Sequence, residues 1–520
     1  MLTDGQSKPI WYEIAQPEPQ ESLTNDLEAD VCIVGGGIAG LTTAYLLGQA
    51  GKRVVVLESK EISGGQTGRS TAQLANWVDD EYGRIRSMHG ERVARIVAES
   101  FTRAIDELER ISKTENIDCD FERLDAYLFM PTPEDNPQPL LDELEESHRA
   151  GITNVERVEG VPMEGYEKAV ALKFSDQAQF DPLRYLNGLA QAIKAGGGRI
   201  FTNVLVKTVE SEGDDQKVRV TTEQGQTITA DYAVVATNSP INDRVAIHTK
   251  QAPYRTYVVG LRVPRGSVEK ALYWDLGDPY HYVRLQAIPD EENADYDVLI
   301  VGGEDHKTGQ ADDAERRYQN LEKWTRERFP QAGAVEFQWS GQVMEPVDGV
   351  AFIGRNPLDA ENVFVVTGDS GQGTSHGTIA GMLLRDMILG NANEDWVKLY
   401  DPSRKTVSAR SIKEFVVENL DVAAQYTDLV TGGEVESIDE IAAGEGAIMR
   451  DGLKKLAVYK DETGAVQKLS AVCTHLGCIV QWNSGEKTWD CPCHGSRFAA
   501  DGEVVEGPAQ SDLERINEQD

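Results

Sequence analysis

The sequence predicts an α/β protein with an antiparallel sheet inserted into it, followed by a small all-β domain. Three observations carry this reading. Residues 30–58 run strand, glycine-rich turn, helix, strand. Residues 250–345 hold many aromatics at strand-like spacing, and from about residue 431 short strands alternate with Gly turns. At 520 residues the chain is also too long for one hydrophobic core.

In "ADVCIVGGGIAGLTTAYLLGQAGKRVVVLES" the first strand runs Val31 to Val34. The helix starts near Ile38 and Gly51 ends it, and Val54 to Leu57 form the second strand. Gly35, Gly37 and Gly40 spell G-x-G-x-x-G. That string is weak alone, but here it follows an apolar strand, opens a helix, and precedes Glu58 at the end of the next strand by 18 positions. This is a Rossmann-like dinucleotide site. Gly35 permits the tight turn, Gly37 lets backbone approach a pyrophosphate, and Gly40 lets the helix pack on the strand. The helix N-terminus offers N–H groups and positive dipole to phosphate, and Glu58 accepts hydrogen bonds from a ribose.

The remaining elements follow in order. Residues 1–27 read as a loose polar arm. Residues 91–112 form an amphipathic helix, 184–195 another, and strands fall near 200–209, 217–222 and 228–236. Apolar runs at 350–354 and 363–367 precede a helix at 376–389. Residues 396–430 read as a linker with one short helix, and 431–520 as the β domain.

The formal charge of −36 repels nucleic acid and anionic lipid. The first residues show no basic, apolar signal pattern, and no run approaches the roughly 18 apolar residues of a membrane span. The chain is therefore expected to be soluble and cytoplasmic, with no nucleic-acid partner.

Cys473, Cys478, Cys491 and Cys493 fall within 21 positions, which suggests metal chemistry before a disulfide scaffold. Cys473 and His475 with Cys491 and His494 could bind Zn²⁺ tetrahedrally. Zinc leaves Cys478, Cys493, Ser496 and the Gly507-Pro508-Ala509 loop without a role. The other histidines are scattered without the spacing of a mononuclear iron site.

The stretch "VVVLESKEISGGQTGRSTAQL" resembles the D-amino-acid oxidase-like family of FAD oxidoreductases. "ADYAVVATNSP" and "EPVDGVAFIGRNP…NVFVVTGDSGQGTSHGTIAG" resemble two later segments of that family. The similarity covers residues 28–395, the middle matching only in layout. It implies FAD, bound by parts about 28–80, 165–240 and 340–395, with a substrate domain built from about 81–164 and 241–339. It carries Arg69, Ser70 and Thr71 to the pyrophosphate and flavin, adds Val206 and Thr237, and sets Gly371, Gly373 and Thr374 against the flavin pyrimidine ring. The turn 66–72 lacks the histidine, and 300–350 the cysteine, by which relatives attach flavin covalently, so noncovalent FAD is expected.

"CTHLGC" and "CPCHGSRF" resemble Rieske domains. The resemblance makes Cys473, His475, Cys491 and His494 the ligands of a [2Fe–2S] cluster, Cys478–Cys493 a disulfide, and "GPA" the covering loop. Two neutral imidazoles in place of thiolates raise the potential to between about −150 and +300 mV. Ser496 matches the family's hydroxyl near a bridging sulfide, whereas Phe498 stands where high-potential members carry Tyr, which implies a lower potential.

Relatives bind an amine or amino acid over the flavin. Tyr280, Tyr282 and Arg284 alternate onto one face of "DPYHYVRLQ", making Arg284 the candidate carboxylate clamp with Tyr282 beside it. His306 is a candidate base, and His376 a candidate for orienting flavin or substrate. The expected function is a dehydrogenase passing electrons from a small amine or amino-acid-like donor through flavin and cluster to an external acceptor. A reductase component with reverse flow and a non-catalytic redox sensor are the alternatives.

Overall fold

The structure is a computed structural model that describes residues 4–212, 217–242, 247–288, 295–357, 359–405, 409–429 and 431–516. Five parallel strands lie in the order Val363–Thr367, Thr227–Val235, Leu27–Val34, Val54–Leu57, Arg199–Phe201. Val31 stands opposite both Val54 and Tyr232. The first strand begins four residues earlier than its apolar run, because Leu27 to Ala29 pair with Ile228 to Ala230. Parity along the strands feeds two cores. Val31, Ile33, Val54 and Val56 meet the helices, while Cys32, Val34, Val55 and Leu57 meet the hairpin that carries Val206, Val209, Val218 and Val220. Burial on both faces is why these strands read as unbroken apolar runs.

The inserted sheet has nine strands; its longest, Gln251–Pro264, is antiparallel to the edge strand Val335–Pro346 on one side and to Tyr296–Lys307 on the other. It continues through His281–Ala287 and Leu272–Asp275 to Glu122–Phe129 and Val170–Gln179. The helix Glu91–Thr114 buries Ala94, Val97, Phe101, Ile105 and Leu108 at three- and four-residue spacing. Its outer face carries the i,i+4 pairs Glu91–Arg95, Glu99–Arg103 and Glu109–Lys113, each contributing a few tenths of a kcal/mol.

Two expectations about the connecting segments are corrected. The N-terminal arm is not loose. Ile10, Trp11 and Tyr12 are buried, Trp11 Nε1 donates to the Ser70 carbonyl (2.8 Å), and Tyr12 Oη donates to the Ser63 carbonyl (2.8 Å). Three apolar residues in a polar context suffice, because two are aromatics with a polar tip that finds a partner. The segment 396–430 is more than a linker with a short helix. Glu394–Tyr400 completes the main core through Trp396, Leu399 and Tyr400, and Ala409–Gln425 is a helix of 17 residues.

The C-terminal part is all-β. Glu445–Asp451, Lys454–Lys460 and Val466–Ser470 form one small sheet, and Gln481–Asn483, Thr488–Asp490, Arg497–Ala499 and Val504–Glu506 another. Among the described residues no helix is long and apolar enough to cross a membrane.

Candidate functional site

The glycine turn after Val34 opens onto a cavity of about 940 Å³. Gly40 does not line it, and its role is packing: a Cβ there would stand 2.0 Å from the Gly35 carbonyl oxygen. The amino end of Ile38–Gln49 has glycine at its N-cap, with Ile38 N–H donating to Thr67 Oγ1 (3.2 Å), and borders the cavity through Gly37, Ile38 and Ala39, which suits it to a pyrophosphate. Glu58 accepts from the backbone N–H of Gly36 (2.6 Å) and Lys60 (2.9 Å), and burial pushes its carboxyl above the usual range. Ser70, Thr71, Val206, Thr237, Gly371, Gly373 and Thr374 also line the cavity. These residues fit a dinucleotide cofactor.

Three expected roles change. Arg69 borders the cavity, but its guanidinium turns away and donates to Ser7 Oγ (3.0 Å), the Ser340 carbonyl and Glu486 Oε1 (3.1 Å). Arg284 is no carboxylate clamp. It does not line the cavity; its Nη1 donates to the carbonyls of Thr71 (2.8 Å), Ala72 (3.1 Å) and Phe180 (2.9 Å), and it sits over the Trp11 ring. His306 is likewise off the cavity, stacked on Tyr257 with Nε2 3.0 Å from its hydroxyl. A positive φ at Glu304 (60°) breaks the strand alternation, so Asp305 rather than His306 reaches the cavity. His376 does border the cavity, with Nδ1 held at 2.8 Å from the Asp369 carbonyl and the ring edge-on to Phe101. Burial lowers it to about 4, so it is neutral at physiological pH and positions the Gly371 turn.

The inner end of the cavity is acidic and aromatic, which the sequence did not reveal. Trp77 stacks with Trp274 (5.5 Å) and Tyr280 lies against Tyr282 (5.9 Å). Tyr280 Oη donates to Asp305 Oδ2 (3.0 Å), and Ser370 Oγ donates to Glu345 Oε2 (2.9 Å). Burial, reinforced by Asp80 and Asp305, raises Asp79 to about 7, and burial raises Asp305 to about 6. Arg84, which also lines the cavity, is paired with Asp80 at 2.6 Å.

The cluster loops repeat one geometry. Gly477 N–H donates to the Cys473 carbonyl (3.0 Å) and Gly495 N–H to the Cys491 carbonyl (3.1 Å), each glycine with φ near +80°. Cys478 and Cys493 are joined by a disulfide with Cα atoms 6.5 Å apart. The sulfurs of Cys478, Cys491 and Cys493 lie together, but the disulfide leaves only Cys491 of these as a donor, and Cys473 is the other free thiol here. A shared hydrogen bond between Cys473 and Cys491 holds the Cys473 thiol down to about 7. The rings of His475 and His494 meet edge-to-face at 5.0 Å. His494 Nδ1 is buried with no protein partner, and burial first, then His248 and His475, lowers the imidazole to about 3. The same shared hydrogen bond, with burial, pushes the Cys491 thiol up, so the pair holds one proton between its two sulfurs; two facing thiols and a neutral, orphaned imidazole nitrogen fit an iron–sulfur cluster.

The two sites share walls. Glu506, Gly507 and Ala509 of the C-terminal domain line the dinucleotide cavity. Glu506 accepts from Gln66 Nε2 (3.0 Å) and Asn238 Nδ2 (3.1 Å). Gln342, on the cavity wall, donates from Nε2 to the Gly495 carbonyl (2.9 Å), one residue from His494. Beneath them Arg69, Arg255 and Arg497 interleave with Glu486, Asp490 and Glu506, all buried.

A dinucleotide cavity and a two-Cys, two-His cluster site in one chain define a flavin–iron–sulfur oxidoreductase. Residues 30–387 match the model of the FAD dependent oxidoreductase family and residues 433–517 that of the Rieske [2Fe-2S] domain. The chain belongs to the FAD dependent oxidoreductase family and carries a C-terminal Rieske domain; its cofactors are FAD and a [2Fe–2S] cluster. It is 30% identical over 501 residues to the Rieske 2Fe-2S iron-sulfur protein YhfW of Bacillus subtilis, covering 95% of each chain. It is 27% identical over 390 residues to gamma-glutamylputrescine oxidoreductase of Escherichia coli, covering 72% of this chain and 87% of that one. In fold it is similar to glycine oxidase from Geobacillus kaustophilus, with a TM-score of 0.60 and 17% identity over 73% of this chain and 99% of that one. The chain is an FAD-dependent oxidoreductase.

Proposed function

We propose that the protein is a dehydrogenase that oxidises a small cationic amine and passes the electrons from FAD through the Rieske cluster to an external one-electron acceptor. The observation that carries the relay is Gln342, which borders the flavin cavity and donates to Gly495 beside the ligand His494. Bound FAD supplies a carrier that takes electrons in pairs and releases them singly, which a one-electron cluster needs. Residues 28–395 act on the donor in this reading, residues 431–520 hold the cluster, and FAD is bound noncovalently.

The chain's own residues favour an amine over a carboxylate-bearing substrate. Arg284 is committed to backbone carbonyls and Arg84 to Asp80, so neither is open to a carboxylate. Asp305, held by Tyr280, and Asp79 present negative charge above pH 7, and the aromatic pairs Trp77/Trp274 and Tyr280/Tyr282 offer ring faces to a cation. Gamma-glutamylputrescine, named for the Escherichia coli relative, ends in a primary amine of this kind at its putrescine end, while its glutamyl end carries a carboxylate that would lie away from these residues.

The test is anaerobic mixing of the holoenzyme with putrescine, spermidine, gamma-glutamylputrescine, glycine and proline. Flavin bleaching by the amines, followed by the electron paramagnetic resonance signal of a reduced Rieske cluster, is expected. Full flavin reduction with the cluster left oxidised would overturn the relay. Bleaching by glycine or proline but by none of the amines would overturn the substrate class.

A further inference from the structure

Three imidazoles meet at the boundary between the two halves of the chain. His475 and His494 come from the cluster loops, and the third is His248, from the flavin half. Its ring lies 5.1 Å from that of His475 and 5.7 Å from that of His494, inclined at 71° and 63°. His248 is 2% exposed, so the edge formed by the ligand imidazoles is covered by the chain itself.

His248 is held in place from several directions. It opens the short turn His248–Lys250, which runs directly into the strand Gln251–Pro264. That strand reaches the flavin cavity within a few residues, at Tyr254 and Thr256. Lys250 Nζ donates to the carbonyls of Pro402 (2.9 Å) and Arg404 (3.1 Å), and Gln251 Nε2 donates to Thr367 Oγ1 (3.0 Å). The cluster loop is drawn onto the same strand. A Cβ at Gly495 would stand 2.7 Å from Pro253 Cβ and 3.0 Å from Gln342 Nε2, and with φ at +79° the position favours glycine. The histidine edge therefore meets the flavin half through the ring of His248, and the cluster loop packs on the strand that follows it.

We propose that His248 is a positioning residue for electron entry: its ring fixes the imidazole edge of the cluster and forms the packed contact through which the flavin half delivers electrons. The inference rests on the flavin-to-cluster relay proposed above. Truncating the ring leaves a void whose lining loses its contacts outright, which lengthens the gap that an electron must cross.

The test uses full-length holoenzyme as wild type, His248→Ala and His248→Phe. Iron and sulfide content and the electron paramagnetic resonance line shape report cluster loading. Flash photoreduction of the flavin with deazariboflavin under nitrogen then gives the rate at which the cluster is reduced. His248→Ala is expected to keep its cluster signal and its flavin reduction but to slow flavin-to-cluster transfer about tenfold, short of the roughly hundredfold that a full 1 Å misplacement can cost. His248→Phe, which restores a ring without the nitrogens, is expected within about twofold of wild type, since packing rather than the nitrogens carries the contact. An unchanged rate in His248→Ala, a loaded His248→Phe as slow as His248→Ala, or loss of the cluster from both variants overturns the inference. A wild-type cluster that the reduced flavin never reduces overturns the relay reading itself.

Discussion

Arg69 and Glu486, 417 residues apart, form an ion pair of 3.1 Å with side chains 0% and 2% exposed. One belongs to the flavin turn and the other to the cluster domain, so the pair fastens the two cofactor sites together. Burial pushes Glu486 upward, but Arg69, Arg255 and Arg497 together hold it at about 2. Breaking a buried pair by removing one partner costs about 3–5 kcal/mol, because it strands the other charge.

Glu486→Gln is therefore expected to lower stability by about 3 kcal/mol. Calorimetry should show the cluster domain melting ahead of the rest. The pH dependence has a definite sign: a carboxyl lowered on folding stabilises above its ordinary value of 4.5 and loses that contribution as pH falls toward 2. Wild-type melting temperature should drop across this window, and the Gln variant should lack that part of the slope.

Amine binding should be tied to the acidic end of the cavity. Asp305→Asn removes the charge that Tyr280 holds and is expected to weaken putrescine binding about tenfold, read from the spectral shift of bound flavin. Asp79 and Asp305 carry raised values of about 7 and about 6, so they are protonated in acid. Binding of a cation should strengthen as pH rises from 5 to 8, whereas a neutral diol of the same length should show no such rise.

The disulfide ties the two ligand loops across 15 positions. Cys478→Ser is expected to cost about 3 kcal/mol in the cluster domain and to speed iron release, measured with a ferrous chelator. Both sulfurs are buried, so reductant alone, without denaturant, should act slowly on the wild type.

Ser496 hydrogen-bonds to Cys473, and its Oγ accepts from Ala509 N–H (3.0 Å), while Phe498 is fully buried in the cluster core. Hydrogen bonds to the sulfurs raise the cluster potential. A redox titration followed by electron paramagnetic resonance should find Ser496→Ala lower than wild type and Phe498→Tyr higher.

Much of the chemistry was legible because it depends on local spacing. The turn Gly35 to Gly40, the acid at Glu58, and the strings around Cys473 and Cys491 each act over a few residues, where chain geometry leaves little freedom. The substrate end was misread for the opposite reason. Period-two alternation brought Arg284 forward as a cavity residue, yet burial turned it toward carbonyls; His306 was expected as a base on a loop beside the site, yet the segment is strand, and the positive φ at Glu304 sets Asp305 toward the cavity instead.

The sequence by itself determined the two cofactors and the order of the two domains, since the motifs that carry both resemblances are read from neighbours in the chain, and through the second resemblance it put forward Cys473, His475, Cys491 and His494 as cluster ligands. Only the tertiary structure decided which side chains face the cavity, how the arm Ile10 to Tyr12 clamps the flavin turn, and that His248, Gln342 and Glu486 join the two sites. Those contacts span up to several hundred residues and follow from how the sheets pack. No local pattern encodes them, because each is satisfied by a partner that only folding brings near.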